Sequence, residues 1–388
     1  MAQRSLKRNK KVYIYTLLFS LFFLSSNFTY AQVKYSNEFL NIGVSARGLG
    51  MSNSVVSSTD DVTAGYWNPA NLVEIDDKFQ VGIMHASYFA GISNYDYGSV
   101  AIPVDNGVVG LSVIRFGVDN ILNTINFKDP NGNFNYDRIT TFSTADYAFL
   151  VSYGRKTKIE GLSLGGNFKI IYRQIGDFAN AYGFGLDASA NYTMNKWKFA
   201  VMARDLTTTV NAWSYTLDQN TKDVFEETGN EIPRNGTEIT LPKILFGISK
   251  EFTIKEKFSI LPEIDFDMYF DGRRPTLISG NAVSIDPHMG LELGYNQFLF
   301  VRGGIGNIQK QPKVNSTEHD WLMQPNFGVG IRLDDLFGLG NVVLDYALTA
   351  IDQTNSSLYS NVFSLRIDVG SFKPAEKTKK MQDPIKLK

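Results

Sequence analysis

The sequence has no cysteine and only three histidines in 388 residues. Without cysteine there is no disulfide framework, no thiolate metal site and no anchor for N-terminal lipidation. The histidines, His85, His288 and His319, form no His-Glu-x-x-His pattern, and no Gly-x-Ser-x-Gly elbow occurs. The expectation is therefore a protein that is not an enzyme, with no catalytic residue, no metal and no cofactor. Long apolar runs are also missing: after residue 31 no stretch of about 18 apolar residues exists, so no transmembrane helix is available. A basic surplus is lacking as well. Setting residues 1–31 aside leaves a formal charge of about −6, which gives nucleic acid no general attraction.

Residues 1–31 have their own pattern. Arg4, Lys7, Arg8, Lys10 and Lys11 precede an apolar stretch from Val12 to Leu24, and Thr29-Tyr30-Ala31 stands before Gln32. This is the make-up of a secretory signal peptide, so the mature chain is expected to begin near Gln32.

Between Phe79 and Val369 fourteen strand-like segments can be read, joined alternately by long and short links. The long links follow Val118, Leu206, Phe270 and Asn307, and the tightest short one is the Asn-Gly hairpin at Asp105-Asn106-Gly107. A transmembrane β-barrel produces this alternation, because short turns and long loops collect on opposite sides of one membrane. With an even strand count both termini lie on the short-turn side, the periplasm in a cell outer membrane. The aromatic content of 13%, mostly Phe and Tyr, suits interfacial girdles on such a barrel.

The two faces of each strand differ. Leu162, Leu164, Gly166, Phe168, Ile170 and Tyr172 alternate with Ser163, Gly165, Asn167, Lys169, Ile171 and Arg173. Phe258, Ile260, Ile264 and Phe266 alternate in the same way with Glu263, Asp265 and Asp267, and Phe363, Leu365 and Ile367 with Arg366 and Asp368. A soluble sandwich would also alternate, with its apolar face toward a core. The signal peptide, the strand count and the one-sided loops favour the barrel, with apolar faces toward outer-membrane lipid. Its lumen then holds Lys169, Arg173, Asp187, Lys198, Arg204, Glu263, Asp265, Asp267, Glu292, Arg332, Asp345, Arg366 and Asp368. So many charges of both signs should pair into a stiffening network; a selectivity-setting pore lining is the sharper alternative. A cation held by Glu263, Asp265 and Asp267 is the weaker reading of that strand.

Residues 32–78 alternate poorly. They carry Ala46-Arg47-Gly48-Leu49-Gly50-Met51, then Asp61-Val62-Thr63 and Tyr66-Trp67-Asn68-Pro69-Ala70. Small residues allow backbone to approach backbone and Asn-Pro starts a turn, so a compact plug, or hatch, is expected here. The Asn68-Pro69-Ala70 triplet ahead of fourteen strands resembles the N-terminal hatch of the FadL superfamily of outer-membrane barrels. The fuller pattern, with Arg47, Gly48, Gly50, Met51, Tyr66 and Trp67, is similar to the PorV/PorQ family of the Bacteroidota type IX secretion system. The resemblance implies a fourteen-stranded antiparallel barrel that assists protein secretion, with a large translocon barrel or the C-terminal signal domains of secreted cargo as partners. A FadL-like transporter of hydrophobic compounds is the alternative. A non-catalytic subunit of another outer-membrane assembly or lipoprotein-export machine is a third.

The domain plan is thus a signal peptide (1–31), a hatch (32–78), a barrel (79–370) and a polar, basic tail (371–388), which is either a solvated periplasmic extension or a docking segment. Two long loops, Asp119 to Thr141 with its Asp129-Pro130-Asn131-Gly132 turn and Thr207 to Thr240, are long enough to be functional. In the second, Trp213, Tyr215 and Phe225 are candidate protein-contact anchors, or pack within their own loop.

Overall fold

The computed structural model describes residues 36–128, 132–312, 319–338, 340–352 and 358–370. The expected signal peptide, the basic tail and the Asp129-Pro130-Asn131 turn lie outside these residues. The strands between Phe79 and Val369 belong to one antiparallel sheet, whose seventeen hydrogen-bonded segments make fourteen wall strands. The first six are β1 (Phe79–Tyr88), β2 (Ser93–Val104), β3 (Gly107–Asn123), β4 (Thr140–Lys156), β5 (Leu162–Ile175) and β6 (Ala179–Met194). Two composite strands follow: β7 (Trp197–Arg204, resuming over Thr209–Tyr215) and β8 (Gly236–Thr240, Lys243–Lys250 and Phe252–Ile254). Then come β9 (Phe258–Tyr269), β10 (Ser284–Tyr295), β11 (Leu299–Pro312), β12 (His319–Leu333), β13 (Asn341–Asp352) and β14 (Leu358–Val369).

Closure is between β1 and β14, which pair from Phe79↔Val369 to Ser87↔Asn361 while β1 also pairs with β2. The wall thereby closes on itself, which is what a membrane requires, since lipid offers backbone N–H and C=O groups no partner; among the described residues, edges such as Gly236–Thr240 remain only in extensions at the long-loop end. Both ends of the β1–β14 strand path, Phe79 and Val369, meet at the short-turn end.

Burial is inverted relative to a water-soluble core. Phe168 is 44% and Ile264 is 42% exposed, whereas Lys169 is 3%, Glu263 1% and Asp265 0% exposed. The apolar faces therefore point outward and the charged faces inward, which removes the sandwich alternative and makes the wall a membrane-spanning one.

The structure corrects two strand limits. The ladder of β3 and β4 passes a bulge between Val118 and Ile121 and continues to Asn123↔Thr140. The stretch after Leu206 is largely not a loop: Thr209–Tyr215 pairs with β6 on one side and with Gly236–Thr240 on the other. Between them lies a helix, α1 (Gln219–Glu227), capped by Asp218, whose carboxylate accepts from the Thr221 N–H. Apolar alternation stops where the wall leaves the bilayer, because its outer face no longer meets lipid. The hydrogen-bonded ladder does not need to stop there.

A charge on the lipid face tests the inversion. Phe266→Lys or Ile367→Lys should each destabilise the barrel by about 2–4 kcal/mol if set at mid-membrane depth, read from denaturant titration of the protein folded into vesicles. Wild-type stability in both would contradict the outward placement.

Candidate functional site

The hatch lies inside the barrel and bridges opposite walls. Its first contact patch runs over Ala46–Gly50, a single helical turn started by Ser45, whose hydroxyl accepts from the Gly48 N–H at 3.0 Å. Gly50 and Met51 lie flat on wall glycines: a Cβ at Gly290 would come within 2.9 Å of Met51, and one at Gly50 within 3.0 Å of Gly328 Cα. A Cβ at Gly304 would overlap the Met51 carbonyl carbon. The second patch is Pro69-Ala70 on the far wall, where a Cβ at Gly154 or Gly165 would run into the Pro69 or Ala70 backbone. Glycines on β4, β5 and β10 to β12 thus let backbone pack on backbone.

Between the two patches the hatch motif is tied to itself. Asn68 caps the turn Pro69–Glu74, accepting from Ala70 N–H and donating to the Val56 carbonyl at 3.0 Å. Trp67 donates through Nε1 to the Val44 carbonyl at 3.1 Å and stands edge-on to Tyr66, 4.8 Å between ring centroids. The Tyr66 hydroxyl donates to the Leu40 carbonyl at 2.6 Å. Gly48 is needed beneath Trp67, because a Cβ there would sit 2.8 Å from the indole ring.

The lumen charges face this plug. Glu263 accepts from Ser57 N–H (2.6 Å), Ser57 Oγ (2.8 Å) and Ser58 N–H (3.3 Å), and Asp265 accepts from Val56 N–H at 3.0 Å. Arg204 lies over the Tyr66 ring at 4.4 Å and donates to the Tyr66 and Leu40 carbonyls. Glu292 is held between Arg47 (3.0 Å) and Arg302 (2.6 Å), and Arg302 continues to Asp345 at 2.5 Å. Arg366 joins Asp61 of the hatch at 2.7 Å to Asp368 of the wall at 2.8 Å. Burial works against ionisation of Asp61, but Arg366, Arg47 and the Thr63 donors outweigh it and hold the carboxyl below its ordinary range.

Other expected lumen residues act on the wall itself. Lys169 pairs with Asp187 (2.8 Å) and Asp205 (2.5 Å), where β7 is interrupted and Asp205 takes φ 55. Arg173 pairs with Asp146 at 2.8 Å and Glu238 at 3.1 Å and lies over Trp213 at 5.1 Å. Asp267 pairs with Lys243 at 3.0 Å, with His288 3.6 Å away. Two expected members stand apart. Lys198 is half-buried on β7, and Arg332 pairs at 3.1 Å with Asp334 at the exposed short-turn end. Asp61, Asp146, Asp205, Glu238, Lys243 and Arg302 join the network without having been read from the sequence. Glu238 lies in a stretch read as loop, Asp205 stands at the end of the strand before it, and Arg302 pairs with Glu292 on the next strand and Asp345 two strands away, which only the register brings together. Of the loop aromatics, Trp213 and Tyr215 stack on the β7 extension with Trp213 Nε1 donating to Glu238 at 2.9 Å, and Phe225 is half-buried on α1. Among the described residues no group of three or more His, Asp or Glu is placed to hold a metal ion.

Above the hatch a cavity of about 670 Å³ lies toward the long-loop end. Phe39, Ile42, Leu49, Tyr66 and Trp67 of the hatch form its floor together with Glu38, Asn41, Ser52 and Asn53, and Tyr88, Phe116, Arg173, Lys243 and Arg274 line its wall. Arg274 is held by Asp271 at 2.6 Å and Glu38 at 3.3 Å, over the Tyr269 ring at 4.0 Å.

A closed antiparallel barrel with an apolar exterior and an internal N-terminal hatch has the architecture of outer-membrane β-barrels. Among solved structures the chain is similar to a FadL homologue of Pseudomonas aeruginosa, at 13% identity and a TM-score of 0.50, over 84% of this chain and 98% of that one. It is also similar to the CymD monoaromatic hydrocarbon channel, at 11% identity and a TM-score of 0.51, over 85% and 98% of the two chains. At these identities the likeness is one of fold, and it lies with FadL-type barrels. No protein-family profile matches the chain, and no curated protein does either.

Two outcomes test the hatch. Glu263→Ala would leave the Ser57 and Ser58 amides without their acceptor, at a cost of about 1–3 kcal/mol, and their hydrogen exchange should accelerate while that of β1–β14 amides does not. Because the Asp61 carboxyl is held below its ordinary range, its hold on Arg366 is complete above that range and is lost as pH falls through the lowered value. Protease cleavage within 42–62 should therefore rise at acidic pH in wild type and be high at neutral pH in Asp61→Asn.

Proposed function

We propose that this protein is an outer-membrane barrel, with both termini in the periplasm, that takes up hydrophobic compounds at the cell surface through the vestibule above its hatch. The observation that carries this reading is the vestibule floor. The lumen is dense in charge, which disfavours a greasy conduit, but those charges are engaged by the hatch and by one another. The hatch side of the open cavity includes a cluster of aromatic and aliphatic side chains, Phe39, Ile42, Leu49, Tyr66 and Trp67, set beside Glu38, Asn41, Ser52 and Asn53. A small apolar ligand entering from the long-loop side would rest on this surface, and displacement of the hatch would give it passage.

A second reading is favoured by a different observation. The residues that seat the hatch, Arg47, Gly48, Gly50, Met51 and Tyr66 to Ala70, make up the pattern that resembles the PorV/PorQ family of type IX secretion, and the β7–β8 hairpin with α1 extends the long-loop end. In that reading the hatch is a permanent stopper, and the loops bind a translocon barrel or cargo.

One pair of measurements separates them. Ile42→Glu places a carboxylate on the vestibule floor and should weaken binding of a fluorescent hydrophobic probe to the purified barrel by about tenfold or more. Purification in mild detergent should return the chain with bound apolar compound. Failure of wild type to bind the probe, together with recovery of a very large barrel or secreted cargo, would replace the first reading by the second.

A further inference from the structure

The vestibule wall keeps one carboxylate without a counter-charge. Four carboxylates line the cavity above the hatch, those of Glu38, Asp146, Asp267 and Asp286. Three are neutralised: Glu38 by Arg274 at 3.3 Å, Asp146 by Arg173 at 2.8 Å and Asp267 by Lys243 at 3.0 Å. Asp286 is only 9% exposed, and among the described residues it has no ion pair. The basic side chains whose charge reaches it, Lys243 and His288, are both turned to Asp267, at 3.0 and 3.6 Å, directly across the β9–β10 rung. The backbone N–H of Ile308 faces the carboxylate from β11, but Oδ1 has no hydrogen-bond partner.

Strand β10 sets the height of this group. His288 stands against the hatch, since a Cβ at Gly306 would lie 3.1 Å from His288 Nδ1 and 3.3 Å from the Ser52 Cβ. Asp286 is the next inward residue toward the long-loop end, about 7 Å further along the strand. It therefore lies on the cavity wall just above the level where the hatch touches β10.

We infer that Asp286 is the polar end of the vestibule's ligand site, and that it selects apolar compounds carrying one O–H or N–H donor, of which a phenol is the simplest case. The inference rests on the uptake reading above and narrows it. A pure hydrocarbon filling the vestibule would exclude water from the open side of the carboxylate and supply nothing in its place, which costs free energy. A compound with a donor brings the missing partner, and a hydrogen bond to an ionised acceptor is stronger than one between neutral groups. The apolar part of such a ligand has Phe39, Ile42, Leu49 and Trp67 to rest on. One acceptor on the wall then fixes which end of the ligand faces β10.

The test uses the purified protein in mild detergent, with protein-free micelles as the blank, and three ligands of similar shape: 2-naphthol, 2-methoxynaphthalene, in which the donor is masked, and naphthalene. Affinities are read from displacement of a bound fluorescent hydrophobic probe. Wild type should bind all three and favour 2-naphthol over 2-methoxynaphthalene by about tenfold, the worth of one hydrogen bond to a charged acceptor. Asp286→Asn can keep its oxygen toward Ile308 and turn its amide N–H groups to the open side, so the preference should vanish while naphthalene binds as before. Equal affinity for the two substituted ligands in wild type, or a preference that persists in Asp286→Asn, would overturn the inference and leave the uptake reading standing. Failure of wild type to bind any of the three would remove the uptake reading and this inference with it. Should Asp286→Asn fail to fold, the wild-type ranking of the three ligands decides.

Discussion

An irregular backbone lying across the inside of a membrane barrel must find hydrogen-bond partners without a sheet to supply them. The rest of this structure follows from that constraint. Residues 42–72 make only short helical turns, so many of their N–H and C=O groups are unpaired within the segment. The wall answers with Glu263, Asp265 and Arg204, which bind hatch amides and carbonyls directly, and with Ser189 and Ser364, whose hydroxyls accept from the Ala70 and Ala46 N–H groups. Where backbone meets backbone, glycine replaces side chain. The charged lumen and the lumenal glycines are therefore two solutions to one problem, polar satisfaction and close approach.

The composite picture is of a barrel with three distinct surfaces. The lumen is occupied, the exterior is apolar, and the long-loop end is open above a floor of mixed apolar and polar hatch residues. Interruption of β7 between Arg204 and Thr209 belongs to the first of these: Asp205 turns inward to share Lys169 with Asp187, and Leu206 is turned out, 53% exposed. An interruption that would weaken an isolated strand is fixed here by a buried ion triad, and β6 runs unbroken past it, pairing on both sides although the register shifts by three residues between Ala188↔Ala203 and Phe184↔Val210.

Much of the wall was legible in the sequence because a period of two combined with a strict lipid requirement leaves a strong trace. Each of the fourteen strands coincides with a strand-like segment of the sequence, and the alternation is plainest in β5, β9 and β14. Legibility failed where the requirement lapses. Above the bilayer the exterior can be polar, so the ladder past Val118 and the paired extension from Thr209 left no alternation to read. Ion-pair partners were only half visible: Lys169, Glu292 and Arg366 announce themselves as charges on an inward face, whereas Glu238 lay in apparent loop and Asp205 at the strand end beside it. The wall glycines were the least visible of all. Gly154, Gly165, Gly290, Gly304 and Gly328 look like ordinary strand residues until the hatch is laid against them.

The hatch precedes every strand in the chain, yet its ties reach far along it: Arg47 to Glu292 are 245 residues apart, and Ala46 to Ser364 are 318. Its two seats are on walls that are complete only when β12 is in place, and the seam that encloses it, β1 against β14, is the last that can form. A plug of this kind cannot be threaded into a finished cylinder through a lumen it fills. It has to be held in position while the sheet curls around it, so the enclosing wall and the enclosed segment mature together. The hatch is then a template for its own enclosure, and lesions at its glycine seats should be felt first as failures of barrel assembly rather than as leaks in an assembled one.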